Sequence, residues 1–291
     1  MKPILITGAT GTVGKEVFRA LHASGHELRV ATTNPDKAAL HFGARGPTAK
    51  DVVRLEFGVD ATYAAAFRGV DKVFLMRPPQ LTDVKNEMIP ALEVARSEGV
   101  THVVFMSLQG AEKNPVVPHH KVENYLQTSG LTYTFLRPSF FMQNLSGIHA
   151  ADVRARGEIF VPAGHGRTSF IDARDVGAVA ARVLTEAGHD NKAYELTGAA
   201  ALSYSEVARI FSEILNRDVR YPNPSPFAFY RRMRSRGLEP SFILVMTALY
   251  TVCRFGLAAR VTPDTRELLG REPGGMAQFI EDYREAFLPG G

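Results

Sequence analysis

The sequence predicts an α/β protein, a doubly wound parallel sheet joined to a smaller, mostly helical C-terminal domain. Three observations predict it. A short apolar run at 4–7 leads through a glycine-rich turn into a helical pattern of apolar residues. That strand, turn, helix order repeats through the first 145 residues. After Ser203 the apolar spacing becomes helical.

Ile4, Leu5, Ile6 and Thr7 form the first strand, and Val13, Val17, Ala20 and Leu21 recur at the three- and four-residue spacing of an amphipathic helix. Strands follow near 28–32, 52–57, 72–76, 102–107 and 132–136, alternating with helix-like segments. Such short apolar runs suit a parallel sheet covered on both faces. Residues 1–150 are read as the sheet domain and 151–291 as the C-terminal domain. Within the latter, 168–190 is expected to return to the main sheet, through Ser169, Phe170, Ile171 and Asp172 and a helix at 176–184. Ser203 and Glu206 form a capping-box pair ahead of Val207, Ile210, Phe211 and Ile214.

A chain of 291 residues with 45% hydrophobic content can bury one large core and a smaller one. The +4 formal charge comes from 34 basic and 30 acidic residues scattered without a long run of one sign, so no nucleic-acid footprint stands out. The single cysteine, Cys253, excludes an intramolecular disulfide and a cysteine-based zinc cluster. The nine histidines show no ligand spacing beyond the adjacent His119 and His120, so no metal site is expected. The chain opens without the pattern of a signal peptide, and a cytoplasmic protein is expected. The most apolar stretch, 242–253, is well short of the roughly 20 residues a spanning helix needs. It reads as a buried helix, with no transmembrane segment expected.

Gly8, Ala9, Thr10, Gly11, Thr12, Val13 and Gly14 stand between the first strand and the first helix. Glycines there permit a tight turn and close backbone approach, while the amides of a helix N-terminus attract phosphates. This is the Rossmann-type arrangement for a dinucleotide pyrophosphate, and Gly8, Thr10, Gly11, Thr12, Val13 and Gly14 are its candidate ligands. An NAD-selective site places Asp or Glu at the end of the second strand. The sequence has Thr32, Thr33 and Asn34 there, with Asp36 two residues later beside Lys37. Thr33, Asn34 and Lys37 can bond and neutralise a 2'-phosphate, so NADP(H) is expected over NAD(H). Lys37 as a solvated cation at a helix start is the alternative.

With that loop in view the chain resembles the NmrA-like branch of atypical short-chain dehydrogenases/reductases. The segments that carry the resemblance are Thr7-Gly8-Ala9-Thr10-Gly11-Thr12-Val13-Gly14, Gly69-Val70-Asp71, Ser129-Gly130-Leu131-Thr132-Tyr133-Thr134-Phe135-Leu136-Arg137-Pro138, Phe141-Met142-Gln143-Asn144-Leu145 and Ile171-Asp172-Ala173-Arg174-Asp175-Val176. The branch includes quinone oxidoreductases and non-catalytic nucleotide sensors. The resemblance implies that Glu56 and Phe57 lie beside the adenine, that Met76, Arg77 and Pro78 border the nicotinamide-side ribose, and that Ser107 closes the fifth strand. It also implies that Pro138, Phe140 and Phe141 face the nicotinamide. Core packing is the competing reading of Phe57, Phe140 and Phe141.

In typical members of the wider superfamily a Tyr four residues before a Lys supplies the proton. Here Lys121 stands at the Lys position and Val117 stands where the Tyr would be. Lys121 is expected to hold the nicotinamide ribose, and His120, with His119, is the nearest titratable substitute. Reduction of a ketone needs a proton for the forming alkoxide, whereas a quinone spreads the charge into a phenolate-like anion. The expected function is therefore an NAD(P)H-dependent reductase of a quinone-like or other electron-poor small molecule. The alternative is a non-catalytic NAD(P)-binding sensor that acts through a protein partner. Arg231, Arg232, Arg234 and Arg236 form a local basic cluster beside apolar residues. A solvated helical face, an attraction for acidic partners or a membrane surface, and a homodimer contact through the apolar part are all left open.

Overall fold

Short strands made mostly of buried apolar residues fix the centre of the first unit. The computed structural model describes residues 2–36, 38 and 51–288. They divide into two units, Met1–Pro138 with Ala173–Leu196, and Ser139–Asp172 with Thr197–Gly291.

In the first unit β1 (Ile4–Thr7), β2 (Leu28–Thr32), β3 (Val52–Arg54), β4 (Lys72–Met76), β5 (His102–Met106), β6 (Thr132–Pro138) and β8 (Lys192–Leu196) form one sheet. The order is β3-β2-β1-β4-β5-β6-β8, and every pairing is parallel. The doubly wound sheet expected from the sequence is present. β5 is buried along its whole length, as an inner parallel strand must be. Its one polar residue, His102, reaches Thr134 Oγ1 at 2.8 Å, and that hydroxyl donates to the His189 carbonyl. The third strand is shorter than the sequence pattern of 52–57, ending at Arg54. It is an edge strand, and its partner β2 itself ends at Thr32 opposite Arg54.

One face of the sheet carries Tyr63, Phe67, Leu92, Val122 and Leu126 from its helices, packed with Leu5, Val73, Val103, Phe105 and Phe135. On the other, the Gly14–Ala23 helix packs against the Ala173–Thr185 helix. That helix and β8 cluster with the first unit, while 139–150 cluster with the second. Gly177 is the point of closest approach, because a Cβ there would lie 2.6 Å from Glu16 Cβ and 2.7 Å from its carbonyl carbon.

The second unit has a short antiparallel pair, β7 (Arg167–Thr168) and β9 (Leu202–Ser203), and is otherwise mostly helical. Ser203 and Glu206 form the expected capping box at the start of the Tyr204–Leu215 helix. Prolines begin the Pro226–Ser235 and Pro240–Arg254 helices, where a missing amide costs nothing. Tyr204, Phe211, Phe229, Phe279 and Phe287 supply the largest fully buried rings of the core. The segment 242–253, read as a buried helix, is buried on one face only: Ile243, Met246, Tyr250 and Cys253 point inward, and Phe242, Leu244, Val245, Leu249 and Val252 are exposed. Among the described residues no helix is long and apolar enough to cross a membrane.

Gly177→Ala is expected to destabilise by about 1–2 kcal/mol, because forcing the two helices apart outweighs the gain of about 1 kcal/mol in helix propensity. A thermal melt followed by circular dichroism, showing a midpoint a few degrees lower, is the check.

Candidate functional site

Parallel strands put all their carboxyl ends on one edge of the sheet, and the order places the topological switch between β1 and β4. At that switch the backbone leaves β1 through Gly8, whose φ of +63° favours glycine. The Gly11 amide donates to the Gly8 carbonyl at 2.9 Å, closing the turn. A Cβ on Gly14 would lie 2.1 Å from the same oxygen, so the helix can start here only with glycine. A Cβ on Gly8 would meet Met76 Sδ at 3.1 Å, which brings the first and fourth strand ends together. Thr7 ties them more firmly: its hydroxyl donates to the Phe74 carbonyl and accepts from the Met76 amide at 2.7 Å. Gly8, Thr10, Gly11 and Thr12 are exposed, Val13 and Gly14 are buried, and the Lys15, Glu16 and Val17 amides bond back to the Gly11 and Val13 carbonyls.

Thr33 and Asn34 are exposed after β2, with the Asn34 amide on Thr32 Oγ1. Lys37 lies outside the described residues. The register of β2 and β3 adds Arg54, exposed opposite Thr32 and paired with Glu56 at 2.7 Å. Sequence reasoning missed it because it lies far along the chain from the Thr32 turn; the parallel pairing of the two strands is the only signal. Glu56 is half-buried, its amide held by Thr62 Oγ1, and Phe57 packs partly against the sheet core.

At the end of β4, Arg77 turns back into its own loop. Its Nη1 donates to the carbonyls of Pro78, Pro79 and Leu81 at 2.7, 3.1 and 2.5 Å. Burial lowers its pKa, and its buried Nε has no partner. Arg77 thus shapes the loop that carries the half-buried Pro78.

Ser107, at the end of β5, donates its hydroxyl to Glu123 at 2.5 Å. Glu123 in turn accepts from Arg137 Nε and Nη2 at 2.9 and 2.6 Å, with the carboxylate 3% and the guanidinium 12% exposed. Glu112 lies 3.5 Å from the same guanidinium. This bidentate pair fixes β6 to the Pro118–Thr128 helix, and neither Glu123 nor Glu112 was legible as its member. Pro138 is buried at the end of β6, and its carbonyl accepts from the Gln109 amide.

Lys121 is exposed on the Pro118–Thr128 helix, and among the described residues no hydrogen bond or ion pair engages its ammonium. His120 Nδ1 donates to the Ala111 carbonyl at 2.9 Å, which leaves Nε2 as the acceptor nitrogen. His119 packs by Phe105, with its buried Nδ1 unpartnered, and burial, with Arg77 adding to it, lowers its pKa to about 4. It is neutral at pH 7. In the second unit Phe140 and Phe141 are half-buried, and Ile171 binds this segment through its amide to the Phe140 carbonyl and its carbonyl to the Met142 amide.

Half of the basic cluster of the second unit, Arg232 and Arg236, is partly buried and paired, while Arg231 and Arg234 are exposed. Arg232 binds Glu158 at 2.7 Å and sits 3.2 Å over the Phe160 ring, Arg236 binds Asp152 at 2.9 Å, and Arg234 caps the Leu238 carbonyl. Arg231 alone of the four has no such partner in the described residues.

Residues 1–270 match the NmrA-like family. The chain is 35% identical to the NAD(P)H azoreductase of Xenophilus azovorans, over 98% of this chain and 99% of that one. It is similar in structure to an NADPH-dependent quinone oxidoreductase from Escherichia coli in complex with NADPH, with a TM-score of 0.85 and 27% identity over 96% of this chain and 99% of the other. The triphenylmethane reductase of Citrobacter sp. shares the fold, with a TM-score of 0.85 at 24% identity over 98% and 100% of the two chains.

In the first unit the buried His102 and the partly buried His119 have pKa values lowered by desolvation to about 4 from 6.5. The unfolded chain therefore binds these protons first as pH falls. Their contribution to stability is complete above about pH 6.5 and is lost progressively as pH drops towards about 4. The urea midpoint is expected to be lower at pH 5 than at pH 7, and His119→Asn is expected to flatten that slope; equal midpoints at the two pH values would contradict it.

Proposed function

The chain belongs to the NmrA-like family and is an NAD(P)H-dependent oxidoreductase, and from that premise we propose that it reduces a quinone or a comparably electron-poor small molecule, with NADP(H) preferred over NAD(H). The observation that carries the acceptor class is Val117, four residues before Lys121, where a proton-donating Tyr would stand. An acceptor that delocalises the incoming charge needs no such acid, whereas a simple ketone does. The names of the relatives, an azoreductase and a quinone oxidoreductase, are of that acceptor type.

The nicotinamide cofactor supplies the hydride when bound. The turn at residues 8–14 fits its pyrophosphate: exposed backbone, glycines where a Cβ would obstruct, and a helix N-terminus behind. Gly8, Thr10, Thr12, Val13 and Gly14 hold the phosphates through backbone amides and the two hydroxyls, while Gly11, its amide on the Gly8 carbonyl, closes the turn and lets the phosphates approach its backbone. Lys121, with its unengaged ammonium, holds the nicotinamide-side ribose, while Met76, Pro78 and the loop shaped by Arg77 border it. Ser107 gives its proton to Glu123 and so presents only lone pairs, accepting rather than donating. Glu56 and Phe57 flank the adenine, and Pro138, Phe140 and Phe141 form the apolar side of the nicotinamide. His119 is neutral and cannot serve as the acid. His120, its tautomer set by Ala111, exchanges a proton with solvent at Nε2 and passes it to the product anion.

The preference for NADP(H) rests on the end of β2, where Thr32, Thr33 and Asn34 leave no carboxylate to repel a 2'-phosphate. Lys37 contributes charge from the sequence side. Arg54 adds a second cation opposite Thr32, and its exposed pair with Glu56 is exchanged at little cost.

Purified protein is expected to oxidise NADPH faster than NADH with a panel of quinones and to give no turnover with a simple ketone. Tight NADPH binding without turnover on any quinone would replace the reductase reading by that of a cofactor-sensing protein. Lys121→Ala is expected to raise the KM for NADPH about tenfold, equivalent to ~1.4 kcal/mol, with a smaller change in kcat. Arg54→Gln is expected to lower the NADPH-over-NADH preference by about fivefold, read from kcat/KM with each cofactor.

A further inference from the structure

A helix with a core on one side normally turns a polar face outward. The Pro240–Arg254 helix turns an apolar one. Ile243, Met246, Tyr250 and Cys253 enter the core of the second unit, while Phe242, Val245, Leu249 and Val252 are exposed on its outer side. The hydroxyls of Thr247 and Thr251 donate back to the carbonyls of Ile243 and Thr247, so they make little demand on water. Past the helix end Gly256 turns the chain at a φ of +76°, and Phe255 and Leu257 on either side of it are 74 and 72% exposed. Of the eleven large apolar side chains exposed among the described residues, nine lie between Phe227 and Val261. Single exposed apolar residues are ordinary, whereas a concentration of this kind marks a binding surface.

Charge selects the occupant. From Pro222 through Pro263 the sequence holds six arginines and one acid, Glu239, a surplus larger than the +4 of the whole chain. Part of it is spent inside the protein. Arg232 and Arg236 bind Glu158 and Asp152, Arg254 lies against Gly164 with its Nη1 3.4 Å from the Pro162 carbonyl, and Arg260 is engaged as well. Arg231 and Arg234 remain, both exposed. No hydrogen bond or ion pair engages Arg231 among the described residues, and Arg234 bonds the neutral Leu238 carbonyl, which leaves its charge uncompensated. They follow the 73% exposed Phe227 at spacings of four and three, on the side of the Pro226–Ser235 helix away from the buried Phe229 and Met233. The two helices pack against each other over the same core, so this side adjoins the apolar one. Glu239 stands at the opposite end of the Pro240–Arg254 helix from Phe255 and Leu257, about 22 Å away along its axis.

We propose that this surface seats the protein on an anionic membrane. The outer residues of the Pro240–Arg254 helix and the turn at 255–257 enter the boundary between headgroups and acyl chains, and Arg231 and Arg234 reach the lipid phosphates. Apolar side chains bordered by arginines that keep their charge suit such a boundary, because the stems lie in the apolar layer and the guanidiniums among the phosphates. The same charges count against a second copy of this chain. A two-fold contact through this surface would gather four uncompensated arginines against two acids, the copies of Glu239. The chain lies on the membrane and does not cross it, since no described helix is long and apolar enough. Binding of this kind is independent of the acceptor proposed above.

The test is flotation of the full chain with vesicles of phosphatidylglycerol mixed with phosphatidylcholine, and of phosphatidylcholine alone, beside sedimentation without lipid. The wild type is expected to float with the mixed vesicles and to bind phosphatidylcholine alone about tenfold more weakly. Leu249→Glu is expected to abolish flotation with unchanged circular dichroism. Arg231→Glu, at a residue with no partner to lose, is expected to remove the preference for phosphatidylglycerol. Val116→Glu, which replaces an 82% exposed apolar side chain of the first unit, is expected to float as the wild type does. A wild type that stays out of the lipid fraction overturns the proposal. So does flotation that survives Leu249→Glu, is equal on the two kinds of vesicle, keeps its phosphatidylglycerol preference in Arg231→Glu, or is lost in Val116→Glu. A wild type that is dimeric without lipid and dissociates on Leu249→Glu overturns it in favour of a second copy.

Discussion

The distance from the Gly14 backbone to the Gly8 carbonyl governs the first unit. With a Cβ excluded at 2.1 Å, the chain reverses from β1 into its helix within six residues, and the helix N-terminus ends up over the switch between β1 and β4. Thr7, bonded to both Phe74 and Met76, holds the two strand ends in register beneath that turn. Further along, the same helix accepts Gly177 against Glu16, so the helix that closes this face of the sheet is itself seated by a missing side chain. A turn built this way is held by its own backbone before any ligand arrives, which would reduce the ordering cost of the cofactor binding proposed for it.

Beside it lies a second constraint of a different kind. Glu123 and Arg137 are nearly fully buried and mutually satisfied through two hydrogen bonds, with Ser107 completing the carboxylate's partners. Removing two charges from water is expensive, and such a pair is held for its geometry more than for stability. Its consequence is chemical. The serine at the end of β5 is committed as a donor to Glu123, the neighbouring His119 is kept neutral by burial, and Val117 has no proton to give. A site so poor in acids suits an acceptor that stabilises its own negative charge, and the proposed quinone-like substrate has that property.

In the second unit the same economy of charge recurs. Asp152 and Glu158 draw in Arg232 and Arg236, and Arg232 also covers the Phe160 ring. Half of a stretch that reads as a basic patch is thereby a set of internal ties between helices and loop. The exposed large apolar side chains of this unit are concentrated on the Pro240–Arg254 helix and the residues after it.

Local patterns were legible from the residues alone. The apolar runs at 4–7, 28–32, 72–76 and 102–106, the glycine turn and the Ser203–Glu206 capping box each depend on neighbours within a few positions, where the chemistry of one residue constrains the next. The missing acid at 117 was equally plain. Partnerships across the chain were not. Arg54 meets Thr32 only through the pairing of β2 and β3, Ser107 and Arg137 meet at Glu123 only through the sheet and its helix, and Arg77 reads as a site residue until its carbonyl partners are seen. The helix at 240–254 was visible in its composition, yet an apolar helix carries no mark of which face the core will take. Periodicity and turn chemistry are properties of short segments and so are written in order along the chain, whereas the partner of a charge or an apolar face is chosen by packing between segments tens of residues apart, which only the tertiary structure decides.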